Sequence, residues 1–399
     1  MRLVTFVLCL ALAGTARAQS LPSEPISVGN GRFVFGGEFF VTYGSEDPGF
    51  FNYNDYEYNA LRNVRAAVST EVRISRHVQA LGEARLEHGD EFSAYALFVR
   101  LKPWAERRFD VQLGRVPPTF GAFTKTIYAY NNIVIGQPLA YQYLLSLRSD
   151  SVPGTADDLL RMRGRGWLSE FPVGNPARAA GLPIVNTARY DTGVQVHGVV
   201  GLVEWTGAVT AGSLSDPRTG DNNGRPQYAG RVVAHALPGL HFGVSGARGP
   251  WLDESLDEPL TGTGAARDYT QTAVGVDVEA SHGPWVARGE WLRSSWSLPE
   301  LGPPAIADPV LADSLIAEAR YRLRPGLSLA VRGDGLLFSD VAGAGGVSPW
   351  EANVGRFEAA ITASVIRNIM AKFAWQRNWR EGGRVRHDTL IAGQLVYWF

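Results

Sequence analysis

Between residues 369 and 379 the side chains alternate in a way that few folds can accommodate: Ile369, Ala371, Phe373, Trp375 and Trp379 share one face, and Lys372, Gln376 and Asn378 share the other. A period of two is the signature of an extended strand half-covered on one side. The pattern returns at 356–365, where Phe357, Ala359, Ile361, Ala363 and Val365 oppose Arg356, Glu358, Thr362 and Ser364. It returns again at 64–74, where Val64, Ala66, Val68, Val72 and Ile74 oppose Arg65, Ser69, Glu71 and Arg73. A soluble sandwich also alternates, so the number of such segments and their connections must decide.

Sixteen segments qualify: 32–43, 61–74, 78–87, 93–101, 109–116, 192–199, 203–212, 227–236, 240–248, 269–281, 285–295, 314–323, 327–338, 354–366, 369–379 and 389–399. Tight connections at 75–77, 237–239, 282–284, 324–326 and 367–368 mostly alternate with loose ones at 44–60, 213–226, 249–268, 296–313 and 339–353. Short turns on one rim and long loops on the other are what a membrane-spanning barrel requires. Past the first residues no apolar run approaches the length of about 18 needed for a transmembrane helix. In hydrocarbon only helices and closed barrels satisfy every backbone N–H and C=O. The expectation is therefore an all-β fold, a transmembrane antiparallel up-and-down β-barrel of sixteen strands within a range of 14 to 18, with both termini on the turn side.

Arg2, the apolar run 3–13 and the small-residue site Ala16-Arg17-Ala18 read as a signal peptide over 1–18, leaving 19–399 as a single barrel domain. Cys9, the one cysteine, lies inside that leader, so the exported chain has no disulfide framework. Without Arg2 and Arg17, 36 basic side chains face 39 acidic ones, a balance that gives no reason to expect nucleic acid as partner. The 45 glycines and 11 tryptophans against three methionines favour strands, turns and aromatic anchors. Trp205, Trp285, Trp291, Trp375, Trp379 and Trp398 fit the aromatic girdles at the two faces of a bilayer.

One connection, 117–191, is far longer than a usual loop. Phe120, Phe123, Tyr128, Tyr130, Tyr141, Tyr143, Leu144 and Leu145 within it need burial, so it is expected to fold inward and narrow a lumen that sixteen strands would otherwise leave wide. The alternative is an external cap or a subunit contact. Arg148, Arg161, Arg163 and Arg165, with Asp157 and Asp158, are assigned to the constriction.

Alternation places Glu38, Arg65, Glu71, Arg73, Glu83, Arg85, Arg100, Arg231, Arg288, Glu290, Arg320, Arg322, Arg332, Asp334, Arg356, Glu358 and Lys372 on the inner face, where they would line the pore and set the field that an ion meets. Arginine exceeds the acids among them, which predicts a weak anion preference; the competing reading is that they pair across strands. Signals for an enzyme are poor. The seven histidines show no close ligand spacing, Gly262-Thr263-Gly264 lacks a strand-turn-helix context, and no Gly-x-Ser-x-Gly elbow occurs. No cofactor or metal is expected, and Asp157-Asp158 reads as a solvated charge pair. Two rivals remain: a membrane-embedded hydrolase with its site at the outer rim, and a structural barrel plugged by 117–191.

The chain ends Leu395-Val396-Tyr397-Trp398-Phe399, with Ile391, Gly393, Leu395, Tyr397 and Phe399 on one face. This resembles the closing strand of bacterial outer-membrane barrels, which the barrel assembly machinery recognises by its terminal phenylalanine. The run Phe109-Asp110-Val111-Gln112-Leu113-Gly114-Arg115-Val116-Pro117-Pro118-Thr119-Phe120-Gly121 resembles a segment of the phosphate-selective porin family. The resemblance implies a sixteen-stranded homotrimer in the outer membrane of a Gram-negative bacterium, bathed in outer-membrane lipid and passing small hydrophilic solutes or anions. That family's phosphate selectivity is lysine-rich, whereas this chain has only Lys102, Lys125 and Lys372. Arginine can also hold phosphate, but acidic residues share its faces here, so phosphate specificity does not carry over.

Overall fold

The computed structural model describes residues 21–54, 58–89, 91–104 and 106–399; the leader read at 1–18 lies outside them. Among the described residues sixteen strands form the wall. They are β1 (Phe33–Gly44), β2 (Val64–Arg73), β3 (Val78–Glu87), β4 (Glu91–Leu101), β5 (Phe109–Val116), β6 (Asp191–Val200), β7 (Val203–Thr210) and β8 (Gln227–Leu237). The second half comprises β9 (Leu240–Pro250), β10 (Thr270–His282), β11 (Trp285–Trp296), β12 (Val310–Arg324), β13 (Leu327–Phe338), β14 (Val354–Ile366), β15 (Ile369–Arg380) and β16 (His387–Trp398). Each is antiparallel to its neighbour in the chain. The ring closes because β1 pairs with both β2 and β16, Phe39 lying opposite Ala66 on one side and Tyr397 on the other. A short strand, Ile26–Val28, adds to β1 below the end of β16. Closure leaves no strand edge, which is the condition for a β-structure in lipid.

Burial is inverted relative to a soluble protein. Val276, Leu315, Phe373 and Leu395 are 47%, 65%, 51% and 52% exposed on the outer face, while Arg332, Arg356 and Glu358 are 0% exposed inside. The outside of this barrel is a solvent for hydrocarbon and the inside a solvent for charge.

Most short connections fall at one end, with both termini, although β3 and β4 are joined closely at the other, where Glu87 pairs with Glu91; we call the first the turn end and the other the loop end. Gly283 and Gly326 take φ of 57° and 79° in their turns, and Asn368 takes 62° at the equivalent place, where its side chain donates to the Ser23 carbonyl. The wall is uneven in height. Strands β5 and β7 have eight residues each, whereas β12 has fifteen. Strand β5 stops at Val116 because Pro117 and Pro118 have no N–H to give a ladder. The chain leaves the wall there and rejoins it at Asp191, which pairs with Val116.

Candidate functional site

Residues 117–190 enter the lumen. Their first turn depends on Gly121, at φ 83°, where a Cβ would lie 2.0 Å from the Tyr141 hydroxyl. The segment has little regular structure, so its N–H and C=O groups need partners from elsewhere. The inner face of the barrel supplies them according to charge. Wall acids accept from its N–H groups: Ala122 to Glu290 Oε1 at 2.7 Å, Tyr130 to Glu38 Oε2 at 3.0 Å and Leu139 to Asp334 Oδ2 at 2.6 Å. Wall bases donate to its oxygens. Lys372 Nζ reaches the carbonyls of Ala129, Asn132 and Val134 at 2.6, 2.7 and 3.1 Å. Arg332 reaches Gly136 O at 2.6 Å and Asn132 Oδ1 at 2.8 Å, Arg65 reaches Ile127 O at 2.7 Å, and Arg356 reaches Gln137 O at 3.2 Å while its other nitrogen reaches Phe51 O of the loop after β1 at 2.6 Å. Tyr141 donates to Glu290 Oε2 at 2.6 Å. Burial pushes its hydroxyl well above the usual phenol range, so it remains a donor.

Toward the loop end the filling turns apolar. Phe120, Leu139, Leu145, Leu147 and Val152 of the segment pack with Ala273, Leu292, Ile316 and Leu336 of the wall. Phe51, Trp251, Leu252, Leu256 and Trp350 from other loops complete the cluster, each no more than 2% exposed. Sequence alternation does not reveal this cluster, because its loop members have no period and its wall members Leu292, Ile316 and Leu336 stand on the inner face that the pattern otherwise gives to polar residues.

Toward the turn end the lumen is open. One cavity of about 780 Å³ is lined by Glu38, Glu83, Lys125, Tyr128, Tyr130 and Trp398 among others. A second, of about 480 Å³, lies against Arg231, His235, His241, Asp277 and Arg288, and a third, of about 600 Å³, against Arg100, Lys102, Arg107, Arg108 and His197. Among the described residues no group of three or more His, Cys, Asp or Glu side chains is placed to hold a metal ion.

No protein-family profile matches the sequence, and no curated protein matches it. Solved structures do match along nearly the whole chain. OmpT of Vibrio cholerae is 10% identical, covers 94% of this chain and 100% of its own, and superposes with a TM-score of 0.55. Salmonella typhi OmpF, solved with daunomycin, is 12% identical over 92% and 97%, with a TM-score of 0.55. An anion-selective porin from Comamonas acidovorans is 9% identical over 92% and 99%, with a TM-score of 0.54. The chain has the porin fold. At these identities the likeness is one of architecture.

Within this porin-type barrel the inner-face residues divide into two groups. Glu38, Arg65, Glu290, Arg332, Asp334, Arg356 and Lys372, expected to line water, are instead buried against the inward segment. The same burial takes Glu358, which meets Arg332 at 3.5 Å and Gln376 at 2.7 Å, and Arg85, whose guanidinium lies 3.1 Å from the centre of the Tyr95 ring. The reason is that an irregular chain in the lumen carries N–H and C=O groups that must find partners, and these wall charges supply them. Glu71, Arg73, Glu83, Arg100, Arg231, Arg288, Arg320 and Arg322 remain in the wider turn-end half. Most are paired: Arg73 with Glu71 at 2.7 Å, Arg231 with Asp277 at 2.6 Å, Arg288 with Glu279 at 2.8 Å and Arg100 with Asp110 at 3.7 Å.

The residues assigned to the constriction lie elsewhere. Arg148 is buried, pairs with Asp150 at 2.9 Å and donates to the carbonyls of Ser169 and Ala177, which fixes a small hairpin of Ser151–Val152 with Val173–Gly174. Asp158 closes a capping box with Thr155 at the start of a one-and-a-half-turn helix, Ala156–Arg161, and Arg161 meets Asp158 at 3.5 Å. Asp157 accepts from the Ala344 N–H at 2.9 Å. Arg163 and Arg165 flank Gly164, whose N–H goes to Glu351 of another loop. All six belong to the loop-end cap, and the Thr155-x-x-Asp158 spacing was the sequence signal for that helix. The chain that narrows the lumen is 119–147. Trp398 is a further correction: it turns inward onto Tyr130, ring centroids 6.0 Å apart, while Trp205, Trp285, Trp291, Trp375 and Trp379 lie on outward-facing positions of their strands.

Proposed function

We propose that this protein is an outer-membrane channel through which small hydrophilic solutes and ions diffuse passively, with no bond-making step. On this reading it is exported behind the leader at 1–18, inserted with the help of the barrel assembly machinery and assembled as a homotrimer. The observation that carries the proposal is the inverted barrel itself: apolar side chains outside, charge inside, closed without an edge, and water-accessible cavities at the turn end. The turn end faces the periplasm and the pinned segment sets the width. A weak anion preference belongs to the same proposal. Lys102, Arg320 and Arg322 at the turn end have no ion-pair partner among the described residues, whereas Glu71, Glu83, Asp110, Asp277 and Glu279 are paired. Phosphate selectivity of the kind in the resembling family is not part of it.

A second reading, a barrel held shut, is favoured by one observation, the apolar cluster that fills the loop end. Single-channel recording separates the two. Wild-type protein in a planar bilayer is expected to give small stepwise currents, with a reversal potential of anionic sign under a salt gradient. Deleting 126–180 is expected to raise the step size. Silent wild-type traces at all voltages, with steps appearing only in the deletion, would establish the shut barrel instead.

A further inference from the structure

The largest turn-end cavity has an organisation that the charge pairs around it do not explain. Tyr130, on the inward segment, and Trp398, at the end of β16, stack at 25° between ring planes and present a broad aromatic surface to the cavity. Glu38 lies under it, 4% exposed. One of its oxygens accepts from Tyr130 N–H, and Oε1 has no hydrogen-bond partner among the described residues. Beside Tyr130, ring centroids 5.7 Å apart, Tyr128 donates to Glu83 Oε2 at 2.8 Å and meets the Tyr190 hydroxyl at 3.4 Å, and Asn131 adds an amide. The acids do not make this a cation site, because Arg65, Arg85 and Lys372 stand directly behind them and balance their charge. An aromatic platform and a rim of mixed donors and acceptors at balanced charge suit a neutral ligand with one apolar face and many hydroxyls.

We propose that this cavity is a binding site for a neutral sugar, whose C–H face lies on Tyr130 and Trp398 and whose hydroxyls bond to the Asn131 amide at its rim. The volume of about 780 Å³ is that of a drug-sized ligand site and admits a disaccharide. The proposal rests on the channel reading in taking the cavity to be open at the periplasmic mouth, and it does not require that current flows.

The test is titration calorimetry of the full-length barrel in detergent, with maltose as probe and choline and acetate as charged controls. Saturable maltose binding is expected, weakened about tenfold or more by Tyr130→Ala and by Trp398→Ala and much less by Trp398→Phe. Lys102→Ala, facing a different cavity, should bind as wild type. Because Trp398 lies in the closing strand, Tyr130→Ala is the safer variant, and heat-modifiable gel migration checks that each barrel is folded. Absence of saturable maltose binding, choline binding in its place, or unchanged binding by folded Tyr130→Ala would overturn the proposal. Failure here with intact single-channel steps leaves the channel reading standing, and silent channels that still bind maltose do the reverse.

Discussion

Replacing Lys372 by methionine keeps the length of the side chain and removes the ammonium that holds three carbonyls of the inward segment at 2.6, 2.7 and 3.1 Å. A hydrogen bond to a charged group is worth roughly 1.5–3 kcal/mol. Three such bonds share one donor, so they do not add, and the methionine also spares the cost of burying a charge; a net loss of about 2–4 kcal/mol in docking the segment is reasonable. At 1.4 kcal/mol per decade, the equilibrium for local release should rise by about one and a half to three orders of magnitude. The wall is not touched, because the backbone of residue 372 stays paired with Thr362 and Gln394 whatever its side chain. Hydrogen exchange at 127–136 should therefore accelerate by that factor in Lys372→Met while strand amides stay protected, and current traces should become noisier with a larger mean step. Unchanged exchange at 127–136 in a folded variant would refute the view that the wall charges exist to pin the segment.

Two further outcomes follow from the wall and from the cap. Val276→Arg places a charge midway along β10, on the outer face and opposite Val244 and Trp291; refolding into lipid vesicles should be destabilised by roughly 2–4 kcal/mol, and a neutral effect would mean that this face does not meet lipid. Burial lifts the Glu351 carboxyl above its ordinary range against the N–H groups of Gly164, Ala352 and Ser146, so the folded state holds the proton more tightly than the unfolded one. Its contribution to stability is then greatest below the ordinary carboxyl value and declines as pH rises through the folded value; thermal melts should show wild type losing stability relative to Glu351→Gln over that interval, and parallel pH curves would contradict it.

The wall was legible because a strand with one face in lipid and one in the lumen must alternate, and the periods at 78–87, 109–116, 327–338 and 354–366 coincide with β3, β5, β13 and β14. Strand β12 begins at Val310, earlier than its pattern suggests, because Asp313 sits on the outer face, where Arg293 pairs with it at 2.9 Å, and so breaks the expected polarity. Trp398 could have been placed correctly: if Tyr397 and Phe399 face out, the residue between them faces in. The course of 119–147 could not be read, because its bonds are to side chains hundreds of residues away, as Asn132 is to Lys372. Nothing local in either stretch announces the other.

The uneven height of the wall bears on how the molecule would sit among lipids. Eight residues at about 3.3 Å each, tilted by roughly 45°, rise about 19 Å, short of an apolar band of about 25 Å. The fifteen of β12 rise about 35 Å. Acyl chains beside β5–β7 must therefore compress while those beside β12 do not. Such a lopsided rim tilts its host or thins the bilayer around one flank, and the deformation is relieved when two thin flanks meet.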